Sequence, residues 1–437
     1  MKKILMILLV LMLLAGCTNK NNNENPLDNN PGDIPSDENP DIEEPVIEEP
    51  NNEEPIDLTG EVRLGIDNID DHLEVFGDLR VGLITNQTGI NSNYVSTIDV
   101  LYDKVNLVSL FAPEHGIRGE LQAGSYVASY TDQKTGIVVN SLYGQTQKPT
   151  KAMMDNIDIM AIDLQDAGAR FYTYIYTMAY AMEAAAEYGK KFVVFDRPNP
   201  AGGHIVQGTI LKNEYKSFVG NYPIVQRHGM TIGELAELFN DEYNIGCNLE
   251  VIKMSGYDRR MFFDDTKLPW VIPSPNFPSQ NTALVYTGTC IFEGTNLSEG
   301  RGTTIPFEVI GAPYINSIEL ADALNALGLP GVKFRPASFT PTFSKHKDVL
   351  VHGVQVHVTN RETFESVKTG FAMVDVIRDI YPTQFQILNA SNSRNMMNLL
   401  TGTNVITNNT LTLSEQFELI DRETNIFMEI RNKYLLY

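Results

Sequence analysis

The chain has 437 residues, with 33 Lys and Arg against 55 Asp and Glu and a formal net charge of −22. No basic stripe interrupts this acidic balance, which excludes nucleic acid as a partner. The length beyond the first sixty residues is enough for two domains.

Met1-Lys2-Lys3 precedes an unbroken apolar run from Ile4 to Leu14. A basic start followed by a short apolar stretch is an export signal. The run is shorter than the roughly 20 residues a bilayer-spanning helix needs. It ends in Leu14-Ala15-Gly16-Cys17, which resembles the lipobox of bacterial lipoproteins. That resemblance implies cleavage before Cys17, a lipid on its thiol and an extracytoplasmic, membrane-anchored protein. Residues 1–17 are thus read as the signal. Residues 18–60, rich in Asn, Pro, Asp and Glu, read as an acidic disordered tether, because such composition cannot offset the entropy of ordering. Of the remaining cysteines, Cys247 and Cys290 lie near apolar runs and read as two buried thiols.

From Val62 onward short apolar runs alternate with helical stretches. Strands are expected at 81–85, 106–111, 137–139, 157–162 and 191–195, several apolar on both faces as buried parallel strands are. The Ala- and Met-rich stretch 173–188 reads as a helix, with Gly189 at its C-terminal end. Thr231 with Glu234 three residues on is a capping box that opens another. This alternation predicts an α/β fold, a Rossmann-like doubly wound domain over 61–270. From Val271 the texture becomes β-rich and loop-rich. Residues 271–437 read as a smaller α+β C-terminal domain, with a strand at 349–358 and a helix at 363–380.

Polar groups follow the strands. Thr85-Asn86-Gln87-Thr88-Gly89 follows the first, and Pro113-Glu114-His115-Gly116-Ile117-Arg118-Gly119 the second. Asp163-Leu164-Gln165-Asp166 with Arg170, and Asp196-Arg197-Pro198-Asn199-Pro200, follow the fourth and fifth. Ligands of open α/β sheets bind beyond the carboxyl ends of the strands. A purely structural loop needs Gly, Asn or Asp, not Glu-His or Gln-Asp with Arg at several tips. No G-x-G-x-x-G or G-x-x-x-x-G-K-[ST] occurs, so a dinucleotide or P-loop site is excluded. No G-x-S-x-G or H-E-x-x-H occurs either, and the histidines lack zinc spacing, so no metal is expected. Later, Ser274-Pro275-Asn276-Phe277-Pro278-Ser279 is a rigid turn. It precedes a Gly-rich stretch with Glu293, Glu299 and Arg301, in which carboxylates and hydroxyls suit a sugar and Arg suits a carboxylate.

Together these motifs, with Arg170-Phe171-Tyr172-Thr173-Tyr174, Arg227-His228-Gly229-Met230-Thr231, and Glu293-Gly294-Thr295-Asn296 through Gly302-Thr303-Thr304, resemble the exo-β-N-acetylmuramidase family. The resemblance runs from about Val62 to the end. It implies a Rossmann-like domain, a C-terminal domain, an active-site cleft between them and no cofactor. It implies release of N-acetylmuramic acid (MurNAc) from the non-reducing ends of peptidoglycan fragments in cell-wall turnover. The Pro-Glu-His-Gly glutamate, here Glu114, is the family's favoured catalytic residue.

Glycosidic cleavage takes an acid for the leaving oxygen and a carboxylate across the bond. Asp166, Asp196, Glu293 and Glu299 are candidates for the latter, and the substrate's acetamido group is an alternative to all four. His115 is placed beside Glu114 to tune it or bind a hydroxyl. Arg170 and Arg301, with Arg118 and Arg197 behind them, are candidates for the lactyl carboxylate of MurNAc. Asn86, Gln165, Asp196, Arg197, Asn276 and Glu299 complete the expected substrate-binding set. The competing reading is a non-catalytic lipoprotein that captures muropeptides for uptake.

Overall fold

The computed structural model describes residues 61–114, 116–117, 129–144, 146–390 and 394–437. The signal, Cys17, the tether, His115 and Arg118 lie outside the described residues.

The first half is built from β1 (Val81–Thr85), α1 (Thr97–Lys104), β2 (Leu107–Ala112), β3 (Tyr130–Thr131), β4 (Val138–Ser141) and α2 (Lys151–Met154). It continues with β5 (Ile159–Asp163), α3 (Tyr174–Glu187), β6 (Lys191–Phe195), α4 (Ile232–Glu242) and β7 (Asn248–Ile252). Their sheet has the order β3-β4-β2-β1-β5-β6-β7. All neighbouring pairs are parallel except β3 with β4. Every residue of β1 and β5 is buried, as strands covered on both faces must be. The order reverses between β1 and β5, whose register sets Thr85 opposite Asp163, so the two tips end level at the switch point.

The expected helix signals are realised. Thr231 Oγ1 accepts from the Glu234 N–H, and the Glu234 carboxylate accepts from the Thr231 N–H at 3.0 Å. Gly189 follows α3 at φ +63°, left-handed backbone that favours glycine.

The second half holds α5 (Gln280–Thr289), β8 (Val309–Ala312), α6 (Ser317–Ala326), β9 (Val332–Phe339) and β10 (Val351–Val358). After these come α7 (Ser366–Ile380), α8 (Met396–Thr401), α9 (Val405–Asn408) and α10 (Leu413–Arg431). The strands form an antiparallel sheet in the order β8-β10-β9. The β-rich texture read from Val271 is corrected here, since α5 starts directly after the Ser274–Ser279 turn, capped by Ser279. Its sequence has no polar stripe because eight of its ten residues are buried. Its Thr and Gly content is also poor in helix propensity. Packing against α7 decides it. A Cβ on Gly288 would sit 1.9 Å from the Ser366 carbonyl, and one on Gly370 would sit 2.2 Å from the Gly288 carbonyl. The two helices thus meet backbone to backbone.

The described residues fall within one compact unit. One apolar cluster runs from Ile84, Phe111 and Ile162 on the large sheet through α3 and α4 into Phe292, Val354, Phe371 and Phe427. A second cluster covers the other sheet face, under α1 and the 3-10 segment Gly65–Val75. Buried arginines weld the halves. Arg227 donates to the carbonyls of Ala201 and Phe364, and Arg431 in α10 donates to those of Gly203 and Gly229. Cys247 and Cys290 are free and buried, as expected.

Candidate active site

Glu114 stands two residues beyond the end of β2. Its Oε2 accepts from Thr173 Oγ1 at 3.0 Å. Thr173 immediately precedes α3, so the β2 tip is tied to the start of the α3 helix. Tyr174 in the first turn donates its phenol to the Pro273 carbonyl at 2.8 Å. That bond draws the Ser274–Phe277 turn of the second half over the sheet edge. Between the halves lies a cavity of about 220 Å³ whose walls carry Glu114, Asn276, Glu293 and Arg301. Four of the expected site residues therefore meet.

Much of the remaining cavity wall is aromatic, which carboxylate-centred reasoning missed. Ring centroids lie 4.9 Å apart for Tyr172 and Tyr174, 5.6 Å for Tyr172 and Phe277, 4.9 Å for Phe277 and Tyr286, and 4.7 Å for Tyr286 and Phe307. The Phe171-Tyr172-Thr173-Tyr174 run was the available signal. Burial is the main cause that holds the phenols of Tyr172, Tyr174 and Tyr286 above their ordinary value, so they stay neutral O–H donors. Phe307 is buried with φ +65°, a sparsely populated conformation for a bulky residue.

Opposite Glu114 runs a chain of alternating charges. Arg301 Nη2 donates to Glu293 Oε1 at 2.6 Å, and Arg301 Nε lies 3.4 Å from Glu299 Oε1. The guanidinium carbon sits 5.1 Å from the centre of the Phe307 ring. Glu299 lies behind Arg301, and its Oε2 is ion-paired at 2.9 Å with Lys345, a residue the sequence did not single out. Burial alone would lower the Arg301 pKa, but Glu293 first and then Glu299 carry it above the ordinary value.

The other expected residues are engaged elsewhere. Arg170 is fully buried, and its guanidinium donates to the carbonyls of Thr209, Ile224 and Leu400 at 2.7, 2.8 and 2.7 Å. Burial brings its pKa down to about 10. Its expected role toward a substrate carboxylate is corrected, since it is buried among those carbonyls and does not line the cavity.

Arg197 pairs in bidentate fashion with Asp163 and donates to the Ile90 carbonyl, so it braces the β1 and β5 tips. Asp196 accepts from the N–H groups of Arg197 and Gly233 and from the hydroxyls of Thr231 and Tyr437, which seats it under the start of α4. Burial first, then the charge of Glu234, pushes its carboxyl up to about 7. Asn86 Oδ1 accepts from the N–H and hydroxyl of Thr88. Gln165 Nε2 bridges the carbonyls of Asp166 and Pro198.

Asp166 Oδ2 accepts from the Gly168 N–H at 2.7 Å and lies 3.2 Å from His228 Nε2. The Met230 N–H points at His228 Nδ1, which assigns the His228 proton to Nε2 and toward Asp166. This buried pair braces the turn after β5 rather than lining the cavity. Among the described residues no group of three or more His, Cys, Asp or Glu is placed to hold a metal ion.

Comparison with known proteins supplies a frame for this cavity. Residues 81–281 match the model of the N-terminal domain of exo-β-N-acetylmuramidase NamZ, and residues 284–437 match that of its C-terminal domain. The peptidoglycan β-N-acetylmuramidase NamZ of Bacillus subtilis (strain 168) is 52% identical over 383 residues, covering 86% of this chain and 92% of that protein. Two crystal structures of DUF1343 family proteins from Bacteroides fragilis NCTC 9343 are similar. One has a TM-score of 0.80 at 37% identity and the other 0.68 at 32%, and each match covers 86% of this chain and 99% of the other.

Proposed function

The chain belongs to the exo-β-N-acetylmuramidase NamZ family, and from that premise we infer that it is a glycoside hydrolase acting in peptidoglycan turnover. It releases MurNAc from the non-reducing ends of peptidoglycan fragments of the MurNAc-β-1,4-GlcNAc type. The observation that carries the reading is the meeting of Glu114, from one half of the chain, with Glu293 and Arg301, from the other, in one aromatic-walled cavity.

In this reading Glu114 donates the proton to the leaving glycosidic oxygen. Glu293 is the second carboxylate, and its support is its delivery to the same cavity from the opposite half. Arg301 grips the lactyl carboxylate, which its planar fork of donors suits. Asn276 and the neutral phenols supply hydrogen bonds to sugar hydroxyls. The lipobox at Cys17 supports an extracytoplasmic, lipid-anchored protein.

The test is incubation with MurNAc-GlcNAc disaccharide and chromatography of the products. Free MurNAc from short fragments, with little solubilisation of intact sacculi, is expected. Disaccharide that is bound but left intact, or oligomers released from intact sacculi, would contradict it.

A further inference from the structure

The chain of charges continues past Arg301. Glu299 is 2% exposed and touches cations on two sides, Arg301 through Oε1 and Lys345 through Oε2. The other N–H groups of Lys345 reach the carbonyls of Phe292 at 2.7 Å and Leu297 at 2.8 Å. Two of its ammonium donors are thus held by carbonyls, while its charge lies against the Glu299 carboxylate. Phe292 immediately precedes Glu293, so Lys345 holds both ends of the segment that carries the cavity's second carboxylate.

Lys345 lies on the connection between β9 and β10. There Ser344, His346 and Asp348 have φ of +69°, +55° and +59°, conformations that persist only where surrounding contacts impose them. The contacts are present. His346 Nε2 lies 2.7 Å from the Asn296 carbonyl, and the Thr342 N–H donates to the Gly302 carbonyl at 3.0 Å. The loop is therefore stapled to both flanks of the Arg301 segment.

We propose that Lys345 is a positioning residue that makes the cavity selective for anionic sugars, by neutralising Glu299 so that Arg301 retains attraction for a substrate carboxylate. The four side chains Glu293, Arg301, Glu299 and Lys345 sum to zero charge. Without Lys345 the remaining three sum to −1 before any anionic sugar arrives. In a partly buried site that surplus is screened weakly, so it opposes an incoming carboxylate directly. The proposal rests on the reading of Arg301 as the grip on the lactyl group.

The experiment compares MurNAc-GlcNAc with its counterpart whose lactyl carboxylate is a neutral carboxamide. The readout is the ratio of kcat/KM between acid and amide. Lys345→Met is expected to lower that ratio about tenfold or more, mainly through KM on the acid. Lys345→Met combined with Glu299→Gln restores charge balance and should recover most of the ratio, which a merely structural role for Lys345 would not permit. Should Lys345→Met fail to fold, Glu299→Gln alone carries the test, because it leaves a surplus positive charge and should raise the ratio. An unchanged ratio in the single variants that fold, or a double variant no better than Lys345→Met, overturns the proposal. Arg301→Gln separates the two ideas. If it abolishes the acid preference while Lys345→Met does not, the grip stands and the proposal falls. If Arg301→Gln leaves the preference intact, the grip itself is wrong.

Discussion

Thr173 donates its hydroxyl to Oε2 of Glu114 across 3.0 Å, which joins the residue before α3 to the tip of β2. Glu114 is thereby aimed from the sheet edge into the cavity rather than left on a free loop. As general acid it makes one prediction. Glu114→Gln keeps the hydrogen bond but carries no transferable proton. Turnover of MurNAc-GlcNAc should fall by about 10²–10⁴-fold, the ordinary worth of general acid catalysis. An activated aryl MurNAc glycoside, whose leaving group hardly needs protonation, should be spared most of that loss. Equal losses on both substrates, measured by initial rates, would move Glu114 to another role.

Arg301→Lys should raise KM for MurNAc substrates far more than for GlcNAc analogues. A point charge cannot reproduce the fork that now meets Glu293 and Glu299. Steady-state kinetics on the matched pair decide it. A uniform rise on both would mean that Arg301 serves the fold or the acetamido group.

Arg170 predicts the opposite pattern. Arg170→Met strips the donors from three buried carbonyls, one of them 230 residues away in sequence. Stability should drop by about 3 kcal/mol or more, with the acid-to-amide preference of the folded fraction unchanged. Urea denaturation reads the first and kinetics the second. Normal stability with lost selectivity would return Arg170 to the substrate.

Asp196 sets a pH dependence. Its folded pKa of about 7 lies above the ordinary aspartate value of 3.8. Its stabilising contribution is therefore fully present below about pH 4 and is lost as pH rises through about 7, where the folded state too must ionise. A shift of this size corresponds to a change of up to about 4 kcal/mol across that window. Asp196→Asn resembles the protonated form, so its stability relative to the parent protein should improve steadily from pH 4 to pH 7.5. Urea midpoints that run parallel for the two proteins across that range would contradict the assignment.

The anchor is tested by fractionation. Cys17→Ala should move the protein out of the membrane pellet while its activity on soluble fragments stays intact, since the described walls of the cavity come from residues 114 to 400. Retention in the pellet after a high-salt wash would count against a lipid on Cys17.

How far the sequence reached differs between the two halves of the chain. Strands β1, β5 and β6 were legible because a parallel strand covered on both faces is a continuous apolar run, a local property, and β2 and β4 were legible from the short apolar runs within them. The start of α4 was legible because a capping box spans only four residues. Helix α5 was not, because being buried on nearly all sides erases the polar stripe that announces a helix. Strand β9 and helix α10 also went unmarked, although both build the second half.

The same division holds in the site. By itself the sequence determined the doubly wound first half, the delivery of polar groups to one sheet edge, the family and the place of Glu114 just beyond a strand end. Those follow from patterns within a few residues or from motifs in fixed order. Only the tertiary structure decided which charges face the cavity. Arg170 and Arg301 both sit in polar, Gly-containing motifs. Carbonyls from residues 209, 224 and 400 close around the first, while carboxylates and a phenylalanine ring hold the second at the cavity wall. An arginine's role depends on which acceptors surround it. Those acceptors arrive from distant segments through packing, so no local pattern encodes them.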